Sequence, residues 1–292
     1  MPELPEVETI RNGLSRFVLF KEIRGIFLFD PKIFFGSKKE LKKIEGDKFS
    51  KVERLGKALV FSFKKSENKM IVHLKMTGQL VYFIKEKNSN LILTAGGHSE
   101  KEKSKLSLQD FKHLRFKISF SDGGFLILND TRKFAYLKLL NSDDLEKMKK
   151  RLGIEPLSSQ FTLKFFLQLT ENKKKNVKAF LLDQKYISGI GNIYADEILF
   201  ASRVNPNRRV SSLNFEEKKR IYQNIKRILK LAVKKRGTTF NDYVDASGQS
   251  GGFLPLLKVY GRKDQKCKVC GGLISKTRLA GRGTHYCPKC QC

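Results

Sequence analysis

The chain has 292 residues, of which 59 are basic and 29 acidic, giving a formal charge of +30. That length suits about two domains, each with a core of its own, and so strong a positive charge implies a polyanionic partner, above all nucleic acid. No apolar run is long enough to span a membrane and no secretory signal opens the chain, so a membrane partner is excluded and a cytoplasmic, nucleoid-associated location is expected.

The first ten residues, MPELPEVETI, concentrate reactive groups. Because residue 2 is small, methionine aminopeptidase is expected to remove Met1 and leave Pro2 with a free secondary amine. An α-amino group titrates near ~7.7–8.0, well below lysine, so a useful fraction is neutral and nucleophilic at physiological pH. Glu3 and Glu6 follow at i,i+3 spacing and share a helix face. Pro5 suits an opening turn, and Leu4, Val7, Ile10 and Leu14 supply an apolar stripe. An ordinary amphipathic helix with acids placed for its dipole carries the same pattern.

Short β segments follow at 23–29, 49–55, 58–63, 70–74 and 80–84. Leu114, Phe116, Ile118 and Phe120 alternate with polar residues as in a half-buried strand. Asp122-Gly123-Gly124 then turns into 125–128. A β-sandwich or barrel-like domain is predicted, with the polar, lysine-rich stretch 85–109 as a long exposed loop. Lys57 sits in a tight turn, Leu55-Gly56-Lys57-Ala58. Met76 stands beside a glycine turn in His73-Leu74-Lys75-Met76-Thr77-Gly78, and Arg132 and Phe134 lie two residues apart in Asp130-Thr131-Arg132-Lys133-Phe134. Taken singly, a solvated lysine, a core-filling methionine and a salt-bridged loop explain these stretches equally well.

A short helix is predicted over 143–152 and a linker over 153–160. Helical patterns then cover 163–169, 177–182, 190–202 and 215–236, the last stopping at Gly237. Residues 184–194 read as a helix–turn–helix-like unit in which Gly191-Asn192 opens the second helix. Backbone N–H groups and a short amide there suit a phosphate, although an asparagine N-cap gives the same string. The stretch 238–253 is too polar and glycine-rich for a core and is expected to be a flexible loop.

Four of the five cysteines form two pairs, Cys267/Cys270 and Cys287/Cys290, with residues 271–286 between them. Thiolates at this spacing wrap one tetrahedral, structural Zn²⁺, and the metal supplies folding energy that a short ribbon lacks. Iron or disulfides could use the same residues, but the pattern in a reducing compartment favours zinc. Cys292 is left as a free thiol, and His285 as a rival ligand that a full set of four cysteines does not need.

Together PELPE, the Lys57 turn, HLKMTG, DTRKF, DQKYISGIGNIY and the GRGTHYC stretch leading into CPKC resemble the formamidopyrimidine-DNA glycosylases, in order and over essentially the whole length. The resemblance implies an α+β fold. Its parts would be an N-terminal β-sandwich with flanking helices (1–152), a linker (153–160), a helical, helix-two-turn-helix domain (161–262) and a zinc-finger hairpin (263–292). It implies a monomer that takes duplex DNA containing oxidised bases into a cleft between domains. Pro2 would attack C1′ of an 8-oxoguanine or formamidopyrimidine nucleotide, and β,δ-elimination would then leave a one-nucleotide gap. Glu3 would handle proton transfers at the sugar and in the eliminations, and Glu6 would orient or relay protons. By the same resemblance Lys57, Asn192 and Arg282 hold phosphates beside the lesion, Lys57 and Arg282 counting also with the catalytic set. Met76, Arg132 and Phe134 fill the gap left by the everted base, and Lys178 lies near the lesion. The family's glycine after the phenylalanine is Ala135 here, which puts that loop's backbone in question.

Two other readings stand beside this one. An endonuclease-VIII-type relative, which prefers oxidised pyrimidines, more often begins PEGPE, and Leu4, Met76 and the Arg132/Phe134 pair argue for the purine branch. A non-enzymatic zinc-ribbon DNA-binding protein would keep the charge and the cysteines but needs no free Pro2.

Overall fold

In the computed structural model, which describes residues 1–85, 90–93, 97–98, 111–238, 243–244 and 251–292, the chain divides into two units. One holds 1–150 and 235–254, the other 151–234 and 255–292.

The first unit opens with helix α1 (Leu4–Val18), whose N-cap is Glu3 in a capping box with Glu6, Pro5 standing within the first turn. Its stripe of Val7, Ile10, Leu14 and Val18 is at most 1% exposed, worth roughly 1.5–3 kcal/mol for each side chain. After it come β1 (Ile23–Leu28), β2 (Phe34–Phe35), α2 (Lys38–Lys42), β3 (Phe49–Leu55), β4 (Ala58–Phe63), β5 (Lys69–His73) and β6 (Gly78–Lys85). β7 (Asn90–Leu93), β8 (Gly97–His98), β9 (Leu114–Phe120), β10 (Phe125–Asp130), β11 (Tyr136–Leu140) and α3 (Ser142–Lys150) complete the run. One sheet has the order β1-β9-β10-β6-β7, the other β2-β11-β5-β4-β3.

The inner faces of both sheets meet in one core. Phe49, Leu59, Phe61 and Val72 from one sheet join Tyr82, Phe116, Ile118 and Leu128 from the other, with the α1 stripe alongside. Strand β4 is buried on both faces because Ala58 and Val60 look outward onto Leu145 of α3. The alternation at 114–120 therefore does mark a half-buried strand, with Phe116, Ile118 and Phe120 inward.

In the second unit are α4 (Leu163–Thr170), α5 (Val177–Leu182), α6 (Asn192–Ala201) and α7 (Phe215–Lys234), followed after 255 by the hairpin β13 (Ser275–Leu279) and β14 (Arg282–Tyr286). The fold is thus α+β, with two N-terminal sheets, a helical region and a C-terminal ribbon. Helix ends differ from the sequence reading by a residue or two, the ordinary uncertainty of frayed ends.

Three differences have physical causes. Strand β11, which the sequence reading lacks, pairs antiparallel with β5 and parallel with β2; too few residues lie between the loop at 131–135 and α3 to show a period. The expected loop 85–109 contains backbone strands, β7 pairing with β6, while its other residues from 86 onward lie outside those described. The segment 235–254 belongs to the sandwich unit, so the chain returns there after α7. Of the expected loop 238–253, residues 239–242 and 245–250 lie outside the described residues, and β12 (Tyr243–Val244) pairs with β8. No helix among the described residues is long and apolar enough to cross a membrane.

Candidate active site

Pro2, Glu3 and Glu6 are all buried at the start of α1, while Met1 is 47% exposed. With Met1 attached, the Pro2 nitrogen is a tertiary amide. Glu6 organises this end. Its Oε2 accepts from the Glu3 N–H at 2.8 Å and its Oε1 from the Thr238 N–H at 2.8 Å. The backbone beside Thr238 explains the helix stop at Gly237. That glycine lies at φ +81, and a Cβ there would stand 2.6 Å from Glu6 Oε1. Beyond Thr238 the chain is closed at its stem by a bridge to Gly252 and by the Phe253 N–H donating to Gly237 O at 3.1 Å.

Lys57 occupies the two-residue turn between β3 and β4, with Gly56 ahead of it at φ +57 and Leu55 opposite Ala58. His73, at the end of β5, is a functional candidate the sequence reading passed over. Burial, then the Lys75 and Lys57 charges, push its imidazole down to about 3, so it is neutral at physiological pH. Its Nδ1 accepts the Lys75 N–H at 3.0 Å, which leaves the proton on Nε2 as a donor. A lone histidine in a strand offered no signal; its burial and the approach of Lys57 are tertiary facts.

Met76, Arg132 and Phe134 come together. Met76 is 45% and Phe134 51% exposed, the Arg132 guanidinium lies 4.8 Å from the Phe134 ring centre, and Arg132 Nη1 is 3.5 Å from Met76 Sδ. Fully buried Asp130 holds both loops. Its carboxylate accepts from Thr77 Oγ1, from the Arg132 N–H at 3.2 Å and from the Ala135 N–H at 2.8 Å. Ala135 is buried and outside the positive-φ region, so this loop does not require the family's glycine. Tight packing falls on Gly78 instead, where a Cβ would stand 2.4 Å from Leu74 O.

In the second unit, Lys178, Asn192 and Arg282 converge on one stretch of β14. Arg282 is exposed at the hairpin tip, after Ala280 and Gly281 at φ +48 and +73, the two positive values of a type I′ turn. Asn192 opens α6 behind the N-cap Gly191 and donates from Nδ2 to Gly283 O at 3.0 Å. Its Oδ1 is buried with no hydrogen-bond partner among the described residues.

Lys178 departs from expectation. Its side chain is wholly buried, 2.7 Å from Asp196 Oδ1, and it donates to Gly283 O at 3.0 Å and Thr284 Oγ1 at 2.8 Å. An ammonium so enclosed has no face left for DNA. Lys178 therefore positions the hairpin that carries Arg282 rather than meeting the nucleic acid itself. Asp196 completes the tie by accepting the His285 N–H at 2.8 Å.

The four cysteine sulfurs lie within 4.8 Å of one another, with Cys270–Cys287 at 3.4 Å and Cys267–Cys290 at 3.9 Å. Tetrahedral zinc with ~2.3 Å bonds needs sulfurs about 3.8 Å apart, so the residues fit one structural Zn²⁺ with no open position. His285 stays out of the set, its Nδ1 being 3.4 Å from Asp196 Oδ2. Gln291 braces the second pair, accepting the Cys287 N–H and donating to Val204 O, each at 2.9 Å.

Comparison with known proteins decides the family. The formamidopyrimidine-DNA glycosylase of Lactobacillus gasseri is 36% identical over all of this chain and 99% of its own length. The chain belongs to the formamidopyrimidine-DNA glycosylase family. Family models agree piece by piece: the glycosylase N-terminal domain over residues 1–137, its H2TH domain over 152–243, and a zinc finger found in FPG and IleRS over 264–291. Among solved structures, a variant of Lactococcus lactis FPG bound to Fapy-dG DNA superposes with a TM-score of 0.84 at 31% identity, over 99% of each chain. A MutM complex with DNA containing carbocyclic 8-oxo-G gives 0.83 at 31% identity, also over 99% of each chain.

Proposed function

We infer that the chain is a base-excision repair enzyme. It removes oxidised purines, 8-oxoguanine and formamidopyrimidines, from duplex DNA and then cleaves the abasic strand. One observation carries the reading: Pro2 is buried directly ahead of two buried carboxylates, at the N-terminus of a helix anchored on the sandwich core. Family membership supports it, as do lesion-bearing duplexes in the related complexes.

Removal of Met1 turns the Pro2 amide into a secondary amine. Its attack on C1′ expels the base, which leaves with the amine's proton; the C1′–O4′ bond then breaks, O4′ taking up a proton, and the open-chain sugar is left as an iminium. That cation acidifies C2′; loss of a C2′ proton expels the 3′ phosphate, and a second elimination expels the 5′ phosphate. Glu3, one residue away, is the group in place for proton transfer at the sugar. Glu6, whose oxygens serve Glu3 N and Thr238 N, orients the helix start. Lys57, His73 Nε2, Asn192 and Arg282 offer donors for phosphates, and the Met76, Arg132 and Phe134 cluster is an apolar wedge with a cationic fork for the space an everted base vacates. Zinc, held by Cys267, Cys270, Cys287 and Cys290, stiffens the ribbon that mounts Arg282. The enzyme acts as a monomer on nucleoid DNA in the cytoplasm.

End-labelled duplexes test this reading. The zinc-loaded, Met1-free chain is predicted to open a one-nucleotide gap with phosphate at both ends opposite cytosine at 8-oxoguanine, and to spare undamaged DNA. Cleavage confined to oxidised pyrimidines would overturn the purine assignment, and binding without any cleavage would overturn the enzyme.

A further inference from the structure

We propose that Arg54 is a positioning residue that locks the helix carrying Pro2 and Glu3 to the turn carrying Lys57, acting through Glu8 and the Gly56 carbonyl. The proposal rests on the repair reading above. Arg54 lies on β3, two residues from core-facing Val52 and so on the same face of the strand. Its side chain is only 7% exposed and that of Glu8 17%. One arm of the guanidinium, Nε, donates to Glu8 Oε2 at 2.9 Å, and another, Nη1, donates to Gly56 O at 3.0 Å. The same fork thus grips α1 and the residue preceding Lys57. Arg11 completes the clamp, donating from Nε and Nη2 to Glu8 Oε1 at 2.9 and 2.6 Å.

The placement is costly for anything but geometry. An ion pair this buried gains little over an apolar pair of the same volume, yet a planar two-armed donor fixes distance and angle where an apolar contact would slide. Glu8 is held as the carboxylate: burial works against the charge, but Arg11 and Arg54 bring it below the ordinary value. Glu8 also lies ~200° round the helix from Glu6. Glu6 is tied on one side to the Thr238 N–H and Glu8 on the other to Arg54, while Arg11, on α1 itself, only fixes the Glu8 carboxylate; the two outside ties hold α1 against rolling or sliding relative to Lys57. In a reaction that needs a phosphate gripped at Lys57 while C1′ meets Pro2, that spacing is what the clamp secures.

Arg54→Lys keeps the charge and the fold but cannot reach both partners, which avoids reliance on Arg54→Met should that variant fail to fold. On an 8-oxoguanine:cytosine duplex, Arg54→Lys is expected to slow the single-turnover rate per active molecule about tenfold to a hundredfold and to raise the half-saturating DNA concentration. In a Lys57→Ala background the effect on half-saturation should vanish, because the turn no longer holds a phosphate. A purely structural role would lower the melting temperature and the active fraction while leaving the rate per active molecule unchanged, and that result would overturn the proposal, as would additive effects of the two substitutions. A wild-type chain that leaves the duplex intact would overturn the repair reading and this inference with it; an active wild type equalled by Arg54→Lys would overturn the inference alone.

Discussion

The Thr238 N–H donates to Glu6 Oε1 at 2.8 Å, tying the first helix of the chain to the segment that follows α7. The other Glu6 oxygen caps Glu3, so one carboxylate sets both the start of the reactive helix and the base of the stretch beyond residue 238. Glu6→Ala deprives two backbone N–H groups of a charged acceptor, each contact worth about 1.5–3 kcal/mol. Strand cleavage is expected to fall well beyond any loss of DNA affinity. Gly237→Ala should reproduce part of this, since its Cβ would stand 2.6 Å from Glu6 Oε1 at φ +81. Parallel single-turnover and binding titrations check both.

Lys178 and Arg282 should separate cleanly. Lys178→Met leaves Asp196 buried without its cation, a loss of about 3–5 kcal/mol that should lower the melting temperature by roughly 10 °C or more. Scanning calorimetry measures it.

Arg282→Ala touches an exposed side chain, so stability should stay within about 0.5 kcal/mol. DNA affinity should weaken for damaged and undamaged duplex alike. The slope of log affinity against log salt should become shallower by about 0.9, one phosphate contact fewer. A salt series of binding isotherms tests this.

His73 gives a pH signature. Its folded-state value of about 3 lies below the ordinary 6.5, so the unfolded chain takes up the proton first. The stability its neutral burial contributes is complete above 6.5 and is lost as pH falls toward about 3. His73→Phe should flatten the melting-temperature profile across that window relative to wild type.

Chelating the zinc should release four thiolates and unfold the ribbon around Cys267, Cys270, Cys287 and Cys290. DNA binding should then drop by at least as much as in Arg282→Ala. Thiol titration alongside binding follows both events.

The sandwich was legible because a strand such as β9 turns one face to the shared core and so alternates, and the metal site because paired cysteines keep their meaning at any distance along the chain. Pro2, Glu3 and Glu6 were legible as a local string. What the sequence could not reveal depends on residues far apart. The partner of Lys178 is eighteen positions away on another helix, His73 is pushed down first by burial in the fold and then by the Lys75 and Lys57 charges, and Asp130 joins the Met76 and Arg132 loops through Thr77. A charged residue read alone looks solvated; only its tertiary neighbours show that it is buried and committed.

The chemistry turns on Pro2 as nucleophile, and borohydride trapping with peptide mapping tests it. The Met1-free chain, mixed with an 8-oxoguanine:cytosine duplex and reduced, should yield a covalent adduct on the N-terminal peptide, absent from Pro2→Gln. An adduct mapping to a lysine-bearing peptide, or none from a zinc-loaded protein that binds the duplex, would contradict it.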